Sequence, residues 1–111
     1  MIVRETDNYI KVCMNAWLLC EACIHNEKDQ ESPENKLIEI CTLCAQSCLM
    51  VASGMINNPN DMQKQIFDCY LLCKECHKEC AKYPQTDIEY CGDICKHCSD
   101  QLRNLIAMQL N

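Results

Sequence analysis

Apolar residues recur along most of the chain at spacings of three, four and seven, the pattern of helices with one buried stripe. No stretch alternates with the period of two that a half-buried strand requires. Three polar breaks interrupt the pattern. The first runs from Asn26 to Ser32 and is followed by Pro33; Ser32 suits an N-cap and Pro33 a first helical turn. The second is Asn57-Asn58-Pro59-Asn60-Asp61, where Pro59 stops one helix and Asn60 or Asp61 caps the next. The third is Tyr83-Pro84-Gln85-Thr86, with Thr86 and Glu89 spaced as a capping box. Four helices are predicted, over about 4–28, 33–56, 60–82 and 87–109, each roughly 33–37 Å long. Similar lengths and short links favour antiparallel neighbours. The predicted fold is all-α: an up-down-up-down antiparallel four-helix bundle occupying residues 1–111 as one domain.

Composition sharpens this picture. Two Gly and three Pro in 111 residues suit a helical chain. The apolar share is 49%, but that figure includes 13 Cys, and there is one Phe and one Trp. The ordinary apolar core is therefore thin, and something must compensate. A net charge of -6 with no basic block argues against nucleic acid as a partner. No run of about 18 uninterrupted apolar residues is present, so no membrane span is expected. The opening Met1-Ile-Val-Arg-Glu-Thr-Asp-Asn lacks the charged and apolar regions of a secretion signal, and a cytosolic, cytoplasmic setting is expected. In that reducing compartment an odd number of Cys reads as free thiols or metal thiolates rather than a disulfide scaffold.

The Cys positions carry the strongest signal. Helix 1 has Cys13, Cys20 and Cys23; helix 2 has Cys41, Cys44 and Cys48; helix 3 has Cys69, Cys73, Cys76 and Cys80; helix 4 has Cys91, Cys95 and Cys98. Their intervals keep the thiols on one stripe of each helix. On helix 3 the stripe includes Met62 and Ile66, and on helix 4 it continues into Leu102, Leu105 and Gln109. Such stripes face the axis of a bundle, giving a core lined by sulfur. Cys as a small hydrophobe explains one or two buried thiols, not a set repeated on all four helices.

These thirteen Cys are the candidate metal ligands. Side chains three or four apart on a helix lie about 5–6 Å apart at Cβ, within reach of one metal at a bond length of about 2.3 Å. Pairs such as Cys44/Cys48, Cys69/Cys73, Cys76/Cys80 and Cys91/Cys95 qualify, as do Cys20/Cys23, Cys41/Cys44, Cys73/Cys76 and Cys95/Cys98. Copper(I) is soft, favours thiolates and accepts two or three ligands, whereas zinc usually takes four. One monovalent ion per thiolate also neutralises a charge that is costly to bury. Multiple Cu(I) ions per chain are expected, on the order of ten.

The interlocking repeats, with Cys69-x3-Cys73-x2-Cys76-x3-Cys80 the densest, resemble those of the four-helix-bundle copper storage proteins, a Cys-rich bacterial family. The resemblance covers the whole chain. It implies cuprous ions held mainly by Cys pairs, often a homotetramer, and, without a leader, the cytosolic type. Helix 1 departs from the dense pattern: Ala16 and Trp17 stand where another Cys might fall, which predicts a local gap in the sulfur lining.

The remaining features are secondary. Cys23, Cys80 and Cys91 gather at one end, while Met55, Met62, Leu105 and Met108 gather at the other. The apolar end is expected to be plugged and the thiol-rich end to admit copper. His25 and His77 are candidates to assist there, against the alternative of solvated histidines; His97 lies on the polar face of helix 4 and is not taken as a ligand. Methionines at helical spacing read as core filler. Phe67, Leu71, Leu43, Met50, Leu18 and Leu19 lie opposite the Cys stripes, which suggests a homo-oligomer. A copper chaperone is a conceivable partner. The alternatives are a zinc or general metal buffer and an iron–sulfur electron carrier; no Pro follows any Cys, unlike ferredoxin loops. No Cys stands out as a nucleophile, and no Ser/His/Asp set or phosphate loop is present, so no enzyme is expected.

Overall fold

The computed structural model describes residues 5–57 and 60–109. It contains α1 (Glu5–Lys28), α2 (Asn35–Asn57), α3 (Gln63–Cys80) and α4 (Thr86–Gln109), and no strand among the described residues. Each helix packs on its two chain-order neighbours, with α1 closing the ring on α4. The diagonal pairs α1/α3 and α2/α4 face each other across the axis. The molecule measures 46 × 27 × 20 Å, consistent with helices of 18 to 24 residues laid side by side.

The sequence pattern and the structure agree on four helices and differ at their ends. The α2 helix starts at Asn35, two residues later than expected, and Glu34 supplies the carbonyl that accepts the Ile38 N–H at 3.1 Å. Ser32 does not cap it. Instead the Glu27 carboxylate reaches from the last turn of α1 and accepts the Glu34 N–H at 2.9 Å. An anion at a helix N-terminus is favoured by the helix dipole, so the partner helix supplies what Ser32 was expected to give.

The α3 helix is shorter than expected at both ends. Asp61 adopts a left-handed backbone, φ 63°, which Asp tolerates better than most side chains. Committed to that turn, neither Asn60 nor Asp61 serves as cap; Met62 precedes the helix with no side-chain hydrogen bond. The role expected of Pro59 falls outside the described residues, as does the expected start of helix 1 at residue 4. The last turn of α3 tightens through Lys82 N–H to Glu79 O and Tyr83 N–H to Cys80 O, at 3.1 and 3.2 Å. Helix α4 begins at Thr86 itself, with Gln85 O accepting the Glu89 N–H at 3.0 Å, so Thr86 is a first-turn residue rather than the cap.

By length and composition α2 is apolar enough to cross a bilayer. The cause is that both its sides are apolar: Leu37, Val51, Ala52 and Met55 are buried in the bundle, while Leu43, Leu49, Met50 and Ile56 are exposed. The core helix of a bundle passes the same test.

Candidate metal centre

All thirteen Cys are unpaired and buried, each on the inward stripe of its helix. The stripes converge because their periodicity matches the bundle seam. Their sulfurs meet across helices more than along them. Cys20 of α1 lies 3.9 Å from Cys76 on the diagonal helix α3 and 3.6 Å from Cys95 of α4. Cys44 of α2 lies 3.7 Å from Cys73 and 4.0 Å from Cys95 on its own diagonal partner. Cys41 reaches Cys76 at 3.7 Å, and Cys91 reaches Cys20 at 4.0 Å. Cys48 contacts Cys73 at 3.5 Å and Cys69 at 3.7 Å. Contact between diagonal helices places sulfur on the axis itself. Of the one-helix pairs suggested by sequence, Cys69/Cys73 is in contact, at 4.0 Å.

The network has two dense groups. The sulfurs of Cys20, Cys41, Cys76 and Cys91 all lie within 4.8 Å of one another, as do those of Cys20, Cys44, Cys76 and Cys95. Cys20 and Cys76 belong to both, and Cys44, Cys48 and Cys73 form a third cluster. Separations of this size can be bridged by one metal ion at bond lengths near 2.3 Å. Cys13 and Cys98, 3.9 Å apart, continue the line toward the opposite end. Ala16 is fully buried on the same stripe as Cys13 and Cys20. The gap foreseen in helix 1 is therefore a methyl group facing the core, while Trp17 packs at its margin.

The thiols titrate as a set. Cys20 and Cys73 are pushed above the ordinary thiol value by their contacts with Cys41 and Cys44, respectively, and by burial. Cys44 and Cys91 move the other way: a thiolate at either is met by S–H groups of its neighbours, Cys20 first. Cys98 is lowered to about 6 by Cys13 and Cys48. Among the described residues no Lys, Arg or His belongs to these clusters. The charge of further thiolates must therefore be balanced by whatever the core takes up.

A model of the copper storage protein family matches residues 3–107. The chain belongs to the copper storage protein family. The searches of curated proteins and of solved structures found no match. Family membership and a buried multi-thiol core agree on copper binding as the chemistry of this site.

The histidines stand outside the thiol clusters. His25 and His97 are exposed. His77 is half-buried, and its Nδ1 lies 3.1 Å from the Gly92 carbonyl; since a carbonyl only accepts, Nδ1 carries the proton. Met55 and Met62 plug the end opposite Cys23 as expected, whereas Met108 is exposed. The thiol-rich end does not stand open. Ile24, Leu37 and Ile88 are buried there, and Cys23, at 6%, is the most exposed thiol. Two buried carboxylates finish this end. Glu27 caps α2, and Glu79 takes the Tyr83 hydroxyl at 3.1 Å and Lys82 at 2.9 Å, with Lys36 at 4.0 Å. Neither was foreseen as functional. The signal was available: Glu27 sits four residues after Cys23 and Glu79 three after Cys76, charges placed in line with a thiol stripe.

Proposed function

We propose that this protein stores copper as Cu(I) in the cytosol, on the order of ten ions per chain, with Cys13, Cys20, Cys23, Cys41, Cys44, Cys48, Cys69, Cys73, Cys76, Cys80, Cys91, Cys95 and Cys98 as ligands. The observation that carries the reading is the shared-sulfur network on the axis, in which Cys20 and Cys76 each serve two groups. Sharing favours a monovalent, low-coordinate ion: each added cation balances one thiolate, and one sulfur bridges neighbouring ions. The role is sequestration rather than catalysis. Apolar side chains on outer faces, Leu18, Leu43, Met50, Phe67 and Leu71, support a homo-oligomer, a tetramer in this reading.

The test is anaerobic titration of the reduced protein with cuprous ion against a strong Cu(I) chelator, with copper and protein quantified. A colourless product saturating near ten ions per chain is expected; saturation at one or two refutes storage. A second reading, a zinc buffer, is favoured by the four converging sulfurs of Cys20, Cys41, Cys76 and Cys91, a donor set suited to tetrahedral zinc. It predicts that zinc withstands competition by stoichiometric Cu(I), whereas the copper reading predicts its displacement.

A further inference from the structure

The outer seam between α3 and α4 is unlike the rest of this acidic molecule. Tyr70, Lys74, His77 and Lys78 recur on α3 at helical spacing, and Lys96, Ser99, Asp100 and Arg103 do so on α4. The two stripes enclose a cleft of about 150 Å³. Its walls carry four of the chain's ten Lys and Arg residues and one carboxylate, on a chain of net charge -6.

The cations are unevenly neutralised. Lys96 pairs with Asp100 at 3.0 Å, and Lys78 with Glu75 at 3.6 Å. Lys74 stands over the Tyr70 ring, 5.7 Å from its centre. Among the described residues, neither Lys74 nor Arg103 has a carboxylate within ion-pair distance. Asp100 is held below the usual carboxylate range by Lys96 first, with further help from Arg103 and His97, so it already serves several cations. The cleft has a fixed floor. Ser99 is buried with its hydroxyl donated to Lys96 O at 3.0 Å, and His77 is tied through Nδ1–H to Gly92 O.

We propose that this seam binds a compact oxyanion, a phosphate or carboxylate group, bridging Lys74 on α3 and Arg103 on α4. The volume admits one such group. A guanidinium supplies the directed fork and an ammonium the point charge that oxyanion recognition uses. Elsewhere the acidic surface repels anions, so the seam is also where an anionic group is steered. Binding there fastens together the two helices that carry Cys69 through Cys98. The inference does not depend on which metal the core stores.

The test uses the reduced full-length protein, labelled with nitrogen-15 and titrated with inorganic phosphate, and separately acetate, replacing chloride at constant ionic strength. Saturable shifts confined to the Arg103 Nε–H and the amides of Lys74, His77 and Ser99 are expected. Tighter binding of phosphate than acetate assigns the site to phosphate groups; equal binding assigns it to carboxylates. Lys74→Gln with Arg103→Gln should weaken binding at least tenfold, Lys74→Gln alone severalfold, and Lys11→Gln not at all. Shifts that grow linearly, that chloride reproduces, or that survive in both Lys74 variants overturn the proposal. Copper capacity should be unchanged in every variant, which keeps this test separate from that of storage.

Discussion

The two halves of the core are equally buried and chemically opposite. Around Cys20, Cys41, Cys76 and Cys91 all four helices contribute sulfur to the axis. Around Val51, Ala52, Met55, Met62, Ile66 and Leu102 the same helical seam is filled by hydrocarbon and thioether, with Cys13, Cys48, Cys69 and Cys98 at its border. A thiol buries less apolar surface than Leu or Ile, at roughly 25 cal/mol per Å². The thiol levels therefore give the metal-free protein less stability per residue than the aliphatic ones. The comparison teaches that stability and capacity occupy different segments of one continuous core.

The hardest way to break that division is Leu102→Ala. Leu102 is fully buried, and its truncation should cost about 2–5 kcal/mol in urea unfolding of the reduced, metal-free protein. Copper bound per folded chain should stay the same; a proportional loss of capacity would show that the halves are not separable. The double variant Cys20→Ala/Cys76→Ala should give the reverse. Stability should fall by a smaller amount, on the order of 1–2 kcal/mol, but capacity should fall by more than two ions, because each sulfur serves two groups. A loss of one ion or none would remove the hub from the argument.

The smallest effect sharpens the comparison at the covered thiol-rich end. Tyr83→Phe removes the hydroxyl donated to Glu79 and should cost about 1 kcal/mol. Glu79 itself lies below the ordinary glutamate range, because of Lys82 first and then Tyr83 and Lys36, against the opposing effect of burial. Its folded-state carboxyl thus binds fewer protons than the unfolded one. The associated stability is fully present above the unfolded glutamate value and is lost as pH falls through the lower folded value. Glu79→Gln should flatten that acid limb in thermal unfolding measured across mildly acidic pH. An unchanged limb would place the acid sensitivity elsewhere.

Much of this was legible in the sequence because one period governed both helix and chemistry. The intervals from Cys69 to Cys80 marked the helix, its inward face and its candidate ligands together. What escaped were features made by two elements at once. Ser32 looked like the cap of α2, but Glu27 from α1 does that work, and no local rule announces a cap delivered by a neighbouring helix. Asn60 and Asp61 read as caps, but Asp61 was needed for a left-handed turn. The i,i+3 and i,i+4 rule emphasised thiol pairs along each helix, while the closest sulfurs belong to different helices, whose register no single segment contains. The basic seam needed Lys74 and Arg103, 29 positions apart, to be seen as neighbours.

The sulfur contacts across the diagonals also set a dimension. Cys20 and Cys76 stand 3.9 Å apart, and Cys44 and Cys95 4.0 Å, whereas two thiolates on opposite sides of one two-coordinate ion are separated by about 4.6 Å. Seating such an ion between them would require each pair of opposite sulfurs to part by a fraction of an ångström, which rotation about the Cys side-chain bonds can supply without moving the helices.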